Sequence, residues 1–133
     1  MKRFTAIFFA LLLPLAILIQ TVAAEEGFPL REKYPDVKVI STDDLAAKYD
    51  GTIIVDVRST MEFDVAHITK AQHISMSQAT FLKDLEQARA KDDATPMAFY
   101  CNGHTCAKSY KAAEAAQGLE AARRAQGQGG QVP

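Results

Sequence analysis

Thr52-Ile53-Ile54-Val55-Asp56-Val57 is the stretch on which the fold turns. Its apolar residues follow one another without a polar alternation, and most are β-branched. Such side chains suit a pleated strand, and the missing alternation suits one buried on both faces of a parallel sheet. A second run of this kind, Pro96-Met97-Ala98-Phe99-Tyr100, follows the polar break at Asp92-Asp93. Working outward, Ser41-Thr42-Asp43-Asp44 opens a helix that continues through Leu45 to Lys48 and ends at Asp50-Gly51. Hydroxyls and carboxylates at such a start accept from the free N–H groups of the first turn. Val37 to Ile40 predicts a short strand, Ser59 to Phe63 a short helix and Ala71 to Ile74 a short edge strand. Phe81-Leu82, Leu85 and Ala88 recur at helical spacing within Ser77 to Ala90. Ser109 to Ala116 predicts an alanine-rich helix that Gly118 stops. Strands alternating with helices give an open α/β fold, with a parallel sheet between helices on both faces.

The two ends are different in kind. Met1-Lys2-Arg3 is cationic, Phe4 to Ile19 is apolar apart from Thr5 and Pro14, and Val22-Ala23-Ala24 precedes Glu25-Glu26. That order reads as a secretory signal over residues 1–24, cleaved after Ala24. A membrane-spanning helix needs about 20 apolar residues, and Pro14, Gln20 and Thr21 interrupt the run. The chain is therefore expected to be exported, periplasmic or secreted, with no membrane attachment after cleavage. Residues 25–36, broken by Pro29 and Pro35, read as a leader, and residues 37–118 as one domain. Residues 119–133, mostly Ala, Gln, Gly and Arg, read as a low-complexity tail.

Fifteen basic and 16 acidic residues give a net charge of -1, which carries no electrostatic footprint for nucleic acid or an anionic membrane. The two cysteines, Cys101 and Cys106, are too few for a disulfide-dense secreted scaffold. An oxidising compartment nevertheless permits a bridge between them.

Cys101 directly follows the second strand run. Open α/β sheets bind ligands beyond the carboxyl ends of their strands. The helix beginning near Lys108-Ser109 directs its free N–H groups back toward the loop, which favours negative charge and lowers a thiol pKa. Gly103 lets the loop curl, and Lys108 and His104 add cationic character. A nucleophile and an anion cradle thus fall at one place. Other charged residues have plainer readings. Asp56 and Arg58, at a strand end, read as a structural pair. His67 reads as a turn residue bonded to backbone, and His73 as surface or satisfied core. His104 is open between a solvated and a substrate-facing position. Cys101 and Cys106 can bridge if the loop brings their Cα atoms within roughly 4.4–6.8 Å. A bridge would either silence the thiol or hold it in a reversible resting state. The C-x4-C spacing is neither a thioredoxin-like pair nor a zinc-ligand pair, so no metal is expected.

Ile53 to Ser59, then Glu62-Phe63, Ala66-His67-Ile68 and Ala71, resemble the first signature of the rhodanese family. Tyr100-Cys101-Asn102-Gly103, followed by Lys108-Ser109 and Ala112-Ala113, resembles its active-site loop and following helix. The resemblance covers roughly Val37 to Gly118, most of one module. It implies a sulfurtransferase in which Cys101 accepts a sulfane sulfur from a small anionic donor such as thiosulfate. The resulting persulfide passes its sulfur to cyanide or a thiol. Asn102, Gly103, His104, Thr105, Cys106, Ala107 and Lys108 would bind the substrate, the backbone N–H groups of Asn102 to Ala107 forming the cradle. Asp56, Arg58, Glu62 and His67 would support it, and no metal or organic cofactor is implied.

The sequence departs from the family pattern in three places. The spacing from Cys101 to Ser109 is about two residues longer, and Ala66, Thr69 and Lys70 replace a Gly before the His and a Pro-Gly after the Ile. Family members also continue with a further strand beside the Cys-bearing one and a closing helix, and Gln117 to Pro133 reads as neither. The expectation is a sheet left open there, in a chain truncated or out of frame after about Ala116. A cysteine phosphatase on this fold would want a loop arginine, which Asn102 to Lys108 lacks. The alternative is a non-catalytic binding module, its cysteines bridged or its fold incomplete, with any protein partner unidentified.

Overall fold

The computed structural model describes residues 28–91 and 94–128. The expected signal segment lies outside the described residues. Strand β1, Ile53–Asp56, is the centre of the sheet, with β2 (Gln72–His73) on one side and β3 (Met97–Tyr100) on the other. All pairings are parallel, with Val55 opposite Gln72 and Asp56 opposite both His73 and Tyr100. Helices α1 (Thr42–Ala47), α2 (Thr60–Val65), α3 (Phe81–Lys91) and α4 (Lys108–Gln128) complete an open α/β fold.

Alternation along the strands decides what faces the core. Ile53, Val55 and Val57 share one face with Met97, Phe99 and Cys101, and pack against Ile74, Phe81, Leu85, Ala88, Ala112 and Ala116. Helices α3 and α4 supply most of that second set, so they close this face of the sheet. Full burial of a side chain such as Leu85 stabilises the fold by about 1.5–3 kcal/mol. Ile54 and Asp56, of the opposite parity, are also buried.

The short helices start where their side chains cap them. Ser41 Oγ accepts from the Asp44 amide at 3.0 Å at the start of α1. At α2, Ser59 and Glu62 form a reciprocal capping box, each side chain accepting from the other's backbone N–H. Ahead of β2, Lys70 stands at φ 63°, a left-handed conformation costing about 1–2 kcal/mol for a residue with a Cβ. That turn is tied down by the Tyr49 hydroxyl, which donates to the Thr69 carbonyl, and by a 2.9 Å bond from Lys70 Nζ to Asp50.

Three expectations need correction. Val37 to Ile40 is not a strand, and Val39 and Ile40 are exposed. A β-branched run needs a ladder partner for its backbone groups, and no described strand pairs with it. The third helix begins at Phe81 rather than Ser77, after turns in which Gln78 N–H donates to the Ser75 carbonyl and Phe81 N–H to that of Gln78. The fourth helix does not stop at Gly118 but runs on to Gln128, through residues 119–128 of the expected tail. A mid-helix glycine costs only about 1 kcal/mol relative to alanine. Beyond it Leu119 packs on the core, Glu120 pairs with Arg89, and Arg123 Nη2 donates to the Glu86 carbonyl at 3.1 Å. Residues 129–133 lie outside the described residues.

Among the described residues no strand pairs with the outer edge of β3. A cavity of about 1070 Å³ is lined by β3 residues, among them Ala98 and Phe99, together with Ile40, Tyr49 and Tyr110.

Candidate active site

Strand β3 ends at Tyr100, and the next residue, Cys101, keeps the phase of Met97 and Phe99. Its side chain is therefore held against the core while its backbone leaves the sheet. Cys101 and Cys106 are joined by a disulfide, with their Cα atoms 6.4 Å apart. Between them Gly103 has φ 156°, which L side chains rarely adopt. The Cys106 N–H donates to the Gly103 carbonyl at 3.0 Å, closing a turn. The Cys106 N–H, one of those expected to form the cradle, is thus bonded within the loop. Helix α4 begins at Lys108, and its first turn holds no acidic residue. The partial positive charge of its N-terminus is thus not neutralised from within its own first turn.

Glu62 brings the first loop of the sheet to this one. Its Oε1 accepts from Asn102 Nδ2 at 2.6 Å, while Oε2 accepts from the Ser59 amide at 3.0 Å and the Ser59 hydroxyl at 2.6 Å. The Ser59 side-chain and backbone bonds, then Asn102 and the charge of Lys108, hold the Glu62 carboxyl down at about 2. It is a carboxylate at neutral pH, and its negative charge is shared among donors before it meets the loop. His104 and Thr105 are exposed, and the His104 ring stands edge-on to Phe28 with centroids 5.5 Å apart. Cys101, Gly103, His104 and Ser109 all line the same cavity as the β3 residues.

Asp56, Arg58 and His67 form a separate corner. The buried Asp56 carboxylate accepts from the Arg58 amide at 2.9 Å, from Nε at 2.9 and 3.0 Å, and from Nη2 at 2.6 Å. Burial pushes the Asp56 carboxyl up, but hydrogen bonds from Arg58 and Tyr100 outweigh it and leave the group below its ordinary range. The same pairing raises Arg58. Arg58 Nη2 also donates to the Ala66 carbonyl at 2.6 Å. His67 Nδ1 lies 2.9 Å from the Phe63 carbonyl, and His73 Nε2 lies 3.1 Å from that of Arg58. Of Asp56, Arg58, Glu62 and His67, the residue bonded to the cysteine loop is Glu62.

Two contributors escaped sequence reasoning. Tyr100 accepts the Ile68 N–H at its hydroxyl, 3.1 Å away, and carries the Arg58 guanidinium over its ring at 5.3 Å. Burial first, and its bond to Asp56 second, raise its pKa. Only the register that sets Asp56 beside Tyr100 reveals this role. Phe63 is the other, stacked on His67 and His73 with centroids 3.9 and 4.6 Å away. The capping box was available as the pattern Ser59-x-x-Glu62.

Chemically, the loop holds two sulfur atoms beside the start of a long helix. Reduced, it offers a thiol beside helix N–H groups that favour negative charge; oxidised, it holds both sulfurs in one bond. Among the described residues no group of three His, Cys, Asp or Glu side chains converges to hold a metal ion. Residues 41–127 match the family model of the rhodanese-like domain. Comparison with curated proteins and with solved structures gives no match.

Proposed function

The chain belongs to the rhodanese-like domain family, and from that premise we propose that it transfers sulfane sulfur through Cys101. The observation that carries this reading is the position of Cys101, between the carboxyl end of β3 and the N-terminus of α4. Reduction of the Cys101–Cys106 bond frees the thiolate. Cys101 Sγ attacks the outer sulfur of a thiosulfate-like anion, the sulfur–sulfur bond of the donor breaks, and sulfite leaves with the electron pair. The persulfide on Cys101 then gives its outer sulfur to cyanide or a thiol, and the thiolate returns. Helix N–H groups and the Lys108 ammonium favour the anionic donor and the anionic persulfide. Export to an oxidising compartment belongs to the same proposal, since a disulfide persists there.

A second reading, a non-catalytic binding module, is favoured by one observation, that both cysteines are in a bond. Mass measurement separates the two. The reduced chain incubated with thiosulfate should gain one sulfur atom or release one equivalent of sulfite, and Cys101→Ser should do neither. Folded, reduced protein that does neither is a binding module.

A further inference from the structure

We propose that Cys106 is a second catalytic residue, which resolves the Cys101 persulfide intramolecularly, so that the chain releases sulfide and closes its own disulfide. The inference rests on the sulfur-transfer reading and adds to it a fate for the sulfur and a need for a reductant.

The geometry is that of the bond itself. Cys101 is fixed by the phase of β3 and its packing on the core. Cys106 is fixed by the turn to Gly103 and by the start of α4 two residues later. With both anchors in place the two sulfur atoms are in bonding contact, so neither the strand nor the helix has to move for Cys106 to reach Cys101 Sγ. A persulfide leaves Cys101 Sγ covalently attached where it was and adds one atom beyond it. The Cys106 thiolate, close to the same helix N-terminus, then has two targets. Attack on the outer sulfur only moves the persulfide to Cys106, and the exchange is reversible. Attack on Sγ forms the Cys101–Cys106 bond, breaks the bond to the outer sulfur and expels hydrosulfide.

Atoms and electrons balance. Two protein thiols and one thiosulfate give one disulfide, one sulfite, one hydrosulfide and one proton released to solvent. The sulfane sulfur takes up two electrons and the two thiols lose them. Short-loop closure gives an effective concentration of about a millimolar or more, so external acceptors present below that level lose to Cys106. The chain then stops in the bridged state until a dithiol-class reductant opens it. The reaction class served by this site is therefore reduction of sulfane sulfur to sulfide, at the expense of such a dithiol.

The test uses the full chain, reduced and then freed of small thiols, mixed with thiosulfate. Sulfite, sulfide and intact mass are measured together. Wild type should release sulfite and sulfide in equal amounts, one of each per chain, and finish two hydrogens lighter. Cys106→Ser should release sulfite alone and keep one extra sulfur, and Cys101→Ser should release neither. Sulfite without sulfide from wild type, or equal sulfide release from Cys106→Ser, overturns the resolving role and leaves sulfur transfer standing. No sulfite from wild type overturns sulfur transfer and this role with it. The wild-type arm decides without either variant, so a variant that fails to fold does not protect the proposal.

Discussion

Two neighbouring strands end at the same level of the sheet, where Asp56 pairs with Tyr100, yet the loops that leave them are held by different kinds of bond. The loop after β1 is fixed by a buried carboxylate that accepts four hydrogen-bond contacts from Arg58. The loop after β3 is fixed by one covalent bond between two sulfur atoms. The first is held by charge and hydrogen bonds, which respond to acid, whereas the second is held by a bond whose chemistry is reduction. The contrast shows how one parallel sheet can combine a permanent corner with a corner that changes state. Between the two corners stands Glu62 in α2, whose carboxylate accepts from Asn102 of the cysteine loop.

The largest test of the comparison is Asp56→Asn. It removes the charge while nearly keeping the volume, and leaves the Arg58 guanidinium, 17% exposed, without its anionic partner. Breaking one side of a buried pair costs about 3–5 kcal/mol, and the partial exposure of Arg58 places this one near 3 kcal/mol. Urea unfolding of wild type and variant, both oxidised, measures it. A loss under about 1 kcal/mol would show that the β1 corner is not the fixed element described here.

Next in size is the covalent corner. A disulfide closing so short a loop stabilises by about 2 kcal/mol if its effect is on the unfolded chain. Unfolding with and without a reductant should differ by that amount, and Cys106→Ser should match the reduced wild type. If the two corners are independent, reduction should change the cost of Asp56→Asn by no more than about 0.5 kcal/mol. A larger change would mean that the Glu62–Asn102 contact couples them, and the comparison would become one of a single network.

The same contrast explains what was legible in the sequence. Both longer strands could be read because each leaves a continuous apolar run; β1 is buried at the centre of the sheet, whereas β3, expected to be buried as well, is a half-buried edge strand. Cys101 could be placed because it follows such a run directly. The bond to Cys106 could not be settled, since C-x4-C spacing allows it without requiring it; the turn at Gly103 and the start of α4 decide the matter. Val37 to Ile40 misled because strand propensity describes a side chain's fit to a pleated surface and supplies no partner. Gly118 misled in the opposite direction. Its own preference is against helix, and Leu119, Glu120 and Arg123 on the far side hold α4 together by contacts with the core and α3. The Asp56–Arg58–Tyr100 corner was half legible, its charges visible and its aromatic member hidden until the register joined the strands.

The smallest expected effect concerns the link between the corners. The Glu62 carboxyl is held at about 2, against an ordinary 4.5, chiefly by Ser59 and then by Asn102. A carboxyl with a depressed folded value adds stability that is fully present above its unfolded value. That stability is lost as the pH falls through 4.5 toward 2. Asp56 shifts in the same direction, so acid unfolding of wild type alone mixes the two groups. Glu62→Gln isolates one, since the amide keeps the shape and cannot titrate. The stability advantage of wild type over Glu62→Gln should be constant at neutral pH, shrink below 4.5 and be gone near 2. Because Glu62 lies near the surface, solvent screens the link and the advantage should be smaller than the effect of either corner. An advantage that persists unchanged into acid would mean the ionised carboxylate does not hold Asn102, and the cysteine loop would then depend on its disulfide alone.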